Sequence, residues 1–123
     1  MLIIIAFAGY NILMERSYKP QYFEEISQYS EEFLVQKSLV LAIIKCESSF
    51  DKDAKSSSNA VGLMQLTEET FIDVRDMLKD DKSITFEQHA TNSEVNIKYG
   101  TRYLRYLSDL YPNDEIAVIA AYN

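Results

Sequence analysis

The chain has 123 residues, 47% of them apolar, and its 12 Lys and Arg against 19 Asp and Glu give a formal charge of −7. This length suits one domain with one hydrophobic core. The acidic charge, without a Lys/Arg-rich stripe, excludes nucleic acid as the expected partner, because phosphate binding requires clustered cations. One cysteine and one histidine cannot form an internal disulfide or a metal site with the usual Cys/His spacing, so we expect no metal.

The first fourteen residues, 1–14, are almost wholly apolar and are followed abruptly by Glu15 and Arg16. This run is shorter than the ~20 residues that span a bilayer. It also lacks the basic stretch that precedes the apolar part of a signal peptide. We predict an anchor or signal segment at 1–14, with an uncleaved membrane anchor favoured, and one domain over 15–123. The alternative interpretation is a buried N-terminal helix of the domain itself.

The scarcity of Gly and Pro, three and two residues, favours an all-α domain over a sheet rich in tight turns. Apolar residues at three- and four-residue spacing predict a first helix from Pro20 to about Phe33. A second helix begins near Ser38 and is apolar on nearly every side, which predicts the central core helix. The polar stretch from Ser48 to Asn59 has no apolar periodicity and predicts an irregular loop.

Further along, Thr67 and the two acids after it predict the N-cap of a third helix that ends near residue 79. A charged stretch without periodicity follows, as far as Thr91. A clean apolar repeat then predicts a long helix up to Pro112. Gly100 lies inside that helix, which indicates a close helix–helix contact. The apolar segment that begins at Asp114 predicts a last helix.

Glu47 lies at the end of the second predicted helix and shares a face with Ile43 and Ile44. A carboxyl beside apolar side chains favours its protonated form, and its pKa rises toward the range that a general acid needs. The other interpretation is a Glu that leaves the core as the helix ends, and the helix alone supports both equally. We expect Lys45 to point elsewhere, and Cys46 to be a small buried apolar side chain.

Several blocks of the chain closely resemble, in order and spacing, the lytic transglycosylase family of the soluble lytic (SLT) type, over roughly Tyr18 to Asn123. The blocks are Glu47-Ser48-Ser49-Phe50, Ser56, Gly62-Leu63-Met64-Gln65-Leu66, Asn96-Ile97 with Gly100 and Tyr103-Leu104, and Ala120-Ala121-Tyr122-Asn123. The resemblance implies a lysozyme-like (goose-type/SLT) helical domain with a groove for the glycan strands of peptidoglycan. It also implies an extracytoplasmic location in the cell envelope.

The resemblance implies that Glu47 is the catalytic acid. It further implies that one set of residues binds the sugars or shapes the groove wall: Ser56, Gly62, Met64, Gln65 and Tyr122. The residues themselves allow other roles, because Ser56 and Gln65 could satisfy loop backbone groups and Tyr122 could pack in the core. We expect Asp51 and Asp53 to be solvated loop residues and His89 to be a solvated surface residue.

The family's reaction explains why one carboxyl is enough. By this resemblance, Glu47 would protonate the glycosidic oxygen between N-acetylmuramic acid and N-acetylglucosamine. The substrate's 2-acetamido group would stabilise the resulting cation. The carboxylate would then take the proton of the muramyl 6-hydroxyl, which leaves a 1,6-anhydro end. The resemblance implies no metal and no cofactor.

Two departures from the family's pattern are visible. Asn59 stands where the family usually has Gly, and Asn tolerates a left-handed backbone better than most residues. The family also continues beyond Asn123, so we expect the chain to be truncated at its C-terminus.

Two rival functions stay open, a goose-type-lysozyme-like hydrolase of the same bond and a non-catalytic peptidoglycan-binding module. The oligomeric state is left open.

Overall fold

The computed structural model describes residues 21–123, so the predicted anchor at 1–14 and Pro20 lie outside the described residues. Within that range the fold is all-α, as predicted. Its helices are α1 (Phe23–Glu32), α2 (Lys37–Ser48), α3 (Glu68–Leu78), α4 (Phe86–His89), α5 (Ser93–Leu110) and α6 (Glu115–Tyr122). The extended pairing in these residues is confined to two isolated bridges in the loop between α2 and α3. None of these helices has the length and apolar content that crossing a bilayer requires.

The central helix of the described chain is α5, which packs against α1, α3 and α6. The prediction that α2 forms the centre of the core is wrong. Only Val40, Ile43 and Ile44 of α2 are buried, whereas Lys45 and Cys46 are exposed. When a helix is apolar on every side, its sequence does not show which face will pack against a neighbouring helix. In the structure only one face of α2 packs against the core. The expected burial of Cys46 was wrong for the same reason.

Two hydrophobic clusters share α5 between them. One lies against α1, α2 and α6 and includes Ile26, Ile44 and Leu104. The other lies against α3, where the rings of Phe71 and Tyr99 have centroids 4.7 Å apart. Because α5 supplies both clusters, it fixes α3 relative to α2 and α6.

The helix ends follow the capping residues. The hydroxyl of Thr67 accepts a hydrogen bond from the backbone N–H of Thr70 at 3.3 Å, which confirms the predicted N-cap of α3. The Asp114 carboxylate accepts one from the N–H of Ala117 at 3.0 Å and caps α6 in the same way. The first helix begins at Phe23, later than predicted, because Tyr22 has a left-handed backbone with φ 62°.

One helix was missed by the sequence analysis. The charged stretch before α5 contains α4, whose four residues are too few to show a helical repeat. His89 at its end is half-buried, and its Nδ1 lies 3.1 Å from the Thr85 carbonyl oxygen. The expectation that His89 is a solvated surface residue was therefore wrong in part.

Candidate active site

Glu47 lies in the last turn of α2 and is half-buried. Within residues 21–123 its carboxyl has no hydrogen bond and no ion pair, and Lys45 is exposed. Burial raises the pKa of Glu47 above its ordinary value, because a carboxylate is poorly solvated there. The protonated form of Glu47 therefore persists to higher pH than it would at the surface, and this form can donate a proton.

Tyr122 is in the last turn of α6 and is half-buried. Its hydroxyl donates a hydrogen bond to the carbonyl oxygen of Met64 at 2.7 Å. Burial raises the pKa of Tyr122 well above its ordinary value, and the nearby charge of Glu47 raises it further. The fold thus brings Tyr122 within electrostatic range of Glu47, from a helix far away in sequence.

Ser56 and Gln65 both have hydrogen bonds within the loop between α2 and α3. The hydroxyl of Ser56 accepts from the backbone N–H of Ala60 at 3.1 Å. The side-chain amide of Gln65 donates to the carbonyl oxygens of Ala54 at 3.1 Å and Gly62 at 2.9 Å. These contacts match the alternative interpretation that the two side chains satisfy loop backbone groups, and they hold the loop in one shape.

Gly62 is buried in a turn with a left-handed backbone, φ 85°. A Cβ added there would lie 2.3 Å from the Nδ2 atom of Asn96 and 2.8 Å from the carbonyl oxygen of Ala90. Only glycine fits this position without displacing its neighbours. Gly62 therefore allows the loop to pass close to Asn96 and Ala90.

Met64 is fully buried, with 0% of its surface exposed. A Cβ added to Gly100 would lie 2.4 Å from the Met64 sulfur. The close contact predicted for Gly100 is real, but its partner is a loop residue and not another helix. The Met64 side chain thus packs in the core against α5.

Asn96 belongs to one of the sequence blocks but was given no role there, and its contacts in the structure supply one. The Asn96 side chain is buried and accepts from the Met64 backbone N–H at 2.8 Å. Its Nδ2 donates to the carbonyl oxygens of Val61 at 3.0 Å and Ala90 at 2.8 Å. A polar residue on the apolar face of a helix was the signal that could have found Asn96.

A cleft of about 220 Å³ opens beside Tyr122. Its lining includes two of the predicted site residues, Gln65 and Tyr122, together with Leu66, Thr67, Thr70, Tyr103, Ala121 and Asn123. The rings of Tyr103 and Tyr122 have centroids 5.6 Å apart. Tyr122 lines this cleft, whereas Glu47 is not among its lining residues.

The acidic residues after Glu47 are loop residues, as expected. Asp51 and Asp53 are both exposed, and the Asp51 carboxylate accepts from the Asp53 backbone N–H at 2.9 Å. Asn59 has a left-handed backbone, with φ 62°, which Asn tolerates better than most residues. In residues 21–123 no group of three or more His, Cys, Asp or Glu is placed to hold a metal ion.

The described residues form an all-helical domain in which the half-buried Glu47 ends α2 and a cleft opens beside Tyr122. The family model of the Transglycosylase SLT domain matches residues 24–123. The chain belongs to this family, as the sequence pattern predicted.

The chain is similar to curated proteins named membrane-bound lytic murein transglycosylase C. That of Edwardsiella ictaluri is 35% identical, over 92% of this chain and 33% of the relative. That of Serratia proteamaculans is 38% identical, again over 92% of this chain and 33% of the relative. The chain therefore spans about a third of the length of these relatives.

Two solved structures show the same fold. The 70-kDa soluble lytic transglycosylase of Escherichia coli is 29% identical, with a TM-score of 0.78, over 97% of this chain and 19% of that one. An inactive mutant of the lytic transglycosylase Slt from Pseudomonas aeruginosa is 25% identical, with a TM-score of 0.77, over 84% and 16%. The lysozyme-like helical fold predicted from the sequence is confirmed.

Proposed function

We propose that this chain is the catalytic part of a lytic transglycosylase that cleaves the β-1,4 bond between N-acetylmuramic acid and N-acetylglucosamine in peptidoglycan. The observation that carries the proposal is Glu47, a half-buried carboxyl without a charge partner in residues 21–123, in electrostatic range of a tyrosine of the cleft. Family membership and the names of the relatives support it.

In the first step the protonated Glu47 donates its proton to the glycosidic oxygen, and the bond from that oxygen to the muramyl anomeric carbon breaks. Burial favours this step because it raises the pKa of Glu47. The muramyl 2-acetamido group stabilises the cation, so no second enzyme carboxylate is needed. Asp51 and Asp53, the acids nearest in sequence, are exposed loop residues and fit that scheme.

In the second step the Glu47 carboxylate accepts the proton of the muramyl 6-hydroxyl as that oxygen attacks the anomeric carbon. The product has a 1,6-anhydro end, and Glu47 returns to its protonated form. The step consumes no water and requires no metal or cofactor.

The remaining predicted site residues have proposed roles in holding the glycan. Tyr122 and Gln65 line the cleft, which supports a role for both in contacting the sugars. Gly62 and Met64 are buried and act by shaping the loop behind Gln65. Ser56 keeps its proposed contact to the muramyl sugar, and its hydroxyl also accepts from the backbone N–H of Ala60.

The test is mass spectrometry of purified peptidoglycan incubated with the chain, with its Glu47→Gln variant and with Glu31→Gln as a control. Glu31 is exposed at the end of α1, far from the cleft in sequence. We expect anhydromuramyl products from the unmodified chain and from Glu31→Gln. In Glu47→Gln the products should fall by ~10²-fold or more, the contribution typical of a general acid.

The other outcomes decide between the rival functions. Products one water heavier, with reducing ends, would show a hydrolase of the goose-type-lysozyme kind. No products from any of the three proteins, together with unchanged binding to glycan strands, would show a non-catalytic binding module.

We further propose that the protein acts at the extracytoplasmic side of the cell envelope and is membrane-anchored through residues 1–14. Support comes from the apolar composition of this segment and from the words "membrane-bound" in the names of the relatives. Fractionation of cells that express the chain with and without residues 1–14 tests this. We expect the membrane-bound fraction to depend on the segment.

A further inference from the structure

One peptide group of the loop, the one that joins Leu63 to Met64, is held by side chains from two helices. Its carbonyl oxygen, on Leu63, accepts from the hydroxyl of Ser48 at 2.8 Å. Its N–H, on Met64, donates to the side-chain oxygen of Asn96 at 2.8 Å. The next carbonyl, on Met64, accepts from the Tyr122 hydroxyl at 2.7 Å. Helices α2, α5 and α6 therefore converge on two consecutive residues.

Ser48 is the member of this set that is covalently next to Glu47. Its hydroxyl lies 3.2 Å from the carbonyl oxygen of Ile44, the local contact of many helical serines, and 2.8 Å from that of Leu63. The shorter contact crosses to a residue 15 positions later in the chain. Neither contact involves the Glu47 carboxyl. The contact to Leu63 instead holds the loop close to the end of α2.

We propose that Ser48 is a positioning residue, whose hydroxyl fixes the loop that carries Gln65 at a set distance from the carboxyl of Glu47. The inference rests on the proposed function, because the loop then forms the wall against which the sugar is held. Gln65 directly follows Met64 and has a left-handed backbone, φ 50°. The Leu63–Met64 peptide that Ser48 holds lies one peptide before Met64–Gln65, so a shift of the first peptide is passed along the backbone to the Gln65 side chain.

The expected consequence is a loss of rate with little loss of fold. Reacting groups must be held close to their productive geometry, and a shift of about 1 Å can cost ~10²-fold in rate. A loop released from Ser48 is still held by Asn96 and Tyr122, so it shifts without detaching. We expect kcat of Ser48→Ala to fall about tenfold, the factor that corresponds to ~1.4 kcal/mol.

The test compares Ser48→Ala with Ser108→Ala as a matched control. The Ser108 hydroxyl makes only the local helical contact, to the Leu104 carbonyl oxygen at 2.8 Å in α5, and it lies outside the cleft. Ser48→Thr keeps the hydroxyl and should restore the rate. The readouts are kcat and KM on soluble glycan strands, the pH profile, the melting temperature, and hydrogen–deuterium exchange of the backbone in residues 61–66.

For Ser48→Ala we expect lower kcat with KM changed less, an unmoved pH profile, and faster exchange in 61–66 only. Ser108→Ala should leave all of these unchanged. A variant that loses melting temperature but keeps kcat and the exchange pattern would overturn the proposal, because Ser48 would then be merely structural. If the unmodified chain cuts no glycan, the proposed function fails, and exchange in 61–66 still decides whether Ser48 holds the loop.

Discussion

Replacing Gly62 by alanine is the sharpest perturbation of the loop beside Glu47. The added Cβ would lie 2.3 Å from Nδ2 of Asn96 and 2.8 Å from the carbonyl oxygen of Ala90. One of these atoms is backbone, and the other belongs to a side chain that is 1% exposed and hydrogen-bonded. The neighbours therefore cannot move aside without losing bonds.

The cost has two parts. A non-glycine residue with a left-handed backbone costs ~1–2 kcal/mol. Displacing the Asn96 amide would break its bonds to the carbonyl oxygens of Val61 and Ala90, at 3.0 and 2.8 Å, and each buried group left unpaired costs ~1–3 kcal/mol. We expect Gly62→Ala to lower the free energy of unfolding by about 3 kcal/mol or more. At ~4–8 °C per kcal/mol for a domain of this size, the melting temperature falls by more than ~10 °C.

Asn59 provides the matched control for the backbone part of this cost. It has a left-handed backbone too, φ 62°, but its side chain is exposed. Asn59→Ala therefore carries only the conformational penalty, ~1 kcal/mol. The difference between the two variants isolates the contact with Asn96.

The assay is urea denaturation followed by circular dichroism, with thermal unfolding alongside. If Gly62→Ala and Asn59→Ala destabilise the protein equally, within about 0.5 kcal/mol, the argument that Asn96 requires glycine at this position is refuted.

Four further predictions concern the site and its supports. Because the pKa of Glu47 is raised by burial, kcat/KM should fall on the alkaline side, with a midpoint above the ordinary carboxyl value of 4.5. The same burial makes the ionised Glu47 costly in the folded state, so stability falls as pH rises from the ordinary value through the raised one. Glu47→Gln should therefore be more stable than the unmodified protein at neutral pH and equal to it below about pH 4. Tyr122→Phe removes the hydrogen bond to Met64, and we expect the free energy of unfolding to fall by ~1 kcal/mol. We expect kcat to fall by more than the ~fivefold that ~1 kcal/mol corresponds to. Thr67→Ala removes the N-cap of α3 and should cost ~1 kcal/mol in urea denaturation.

Each of these has a contrary result. A rate that rises through the titration of Glu47 would show that the carboxylate, and not the acid, is the active form. A Tyr122→Phe protein with unchanged kcat would leave the hydroxyl a purely structural role. For Thr67→Ala, Thr67→Ser is the control, and equal stability of the two variants would mean that the cap contributes nothing.

Most helices of the described chain could be predicted from the sequence, because their signals are local. The cap at Thr67 and the long apolar repeat of α5 marked helices close to their observed ends. The exception was α4, whose four residues are fewer than two turns. The central position of α5 was not predictable, since burial depends on which faces find partners and not on the apolar content of a segment.

For the site, the sequence singled out Glu47 and the blocks around it, and their resemblance placed the chain in a family that the comparison confirmed. It could not show that the Gln65 amide is bonded to two loop carbonyls or that Met64 is fully buried. It also gave Ser48 and Asn96 no role, because their partners lie 15 and 32 residues away along the chain.

The sequence by itself therefore determined most of the helices, the acidic charge, the family and the one carboxyl at the end of an apolar helix. These properties depend on residues within a few turns of each other or on the order of short blocks. Tertiary structure decided how buried Glu47 is and which hydroxyls hold the Leu63–Met64 peptide. It also brought Tyr122 near Glu47. Burial, the pKa change that follows from it, and long-range hydrogen bonds exist only after α2, α5 and α6 have packed around the loop.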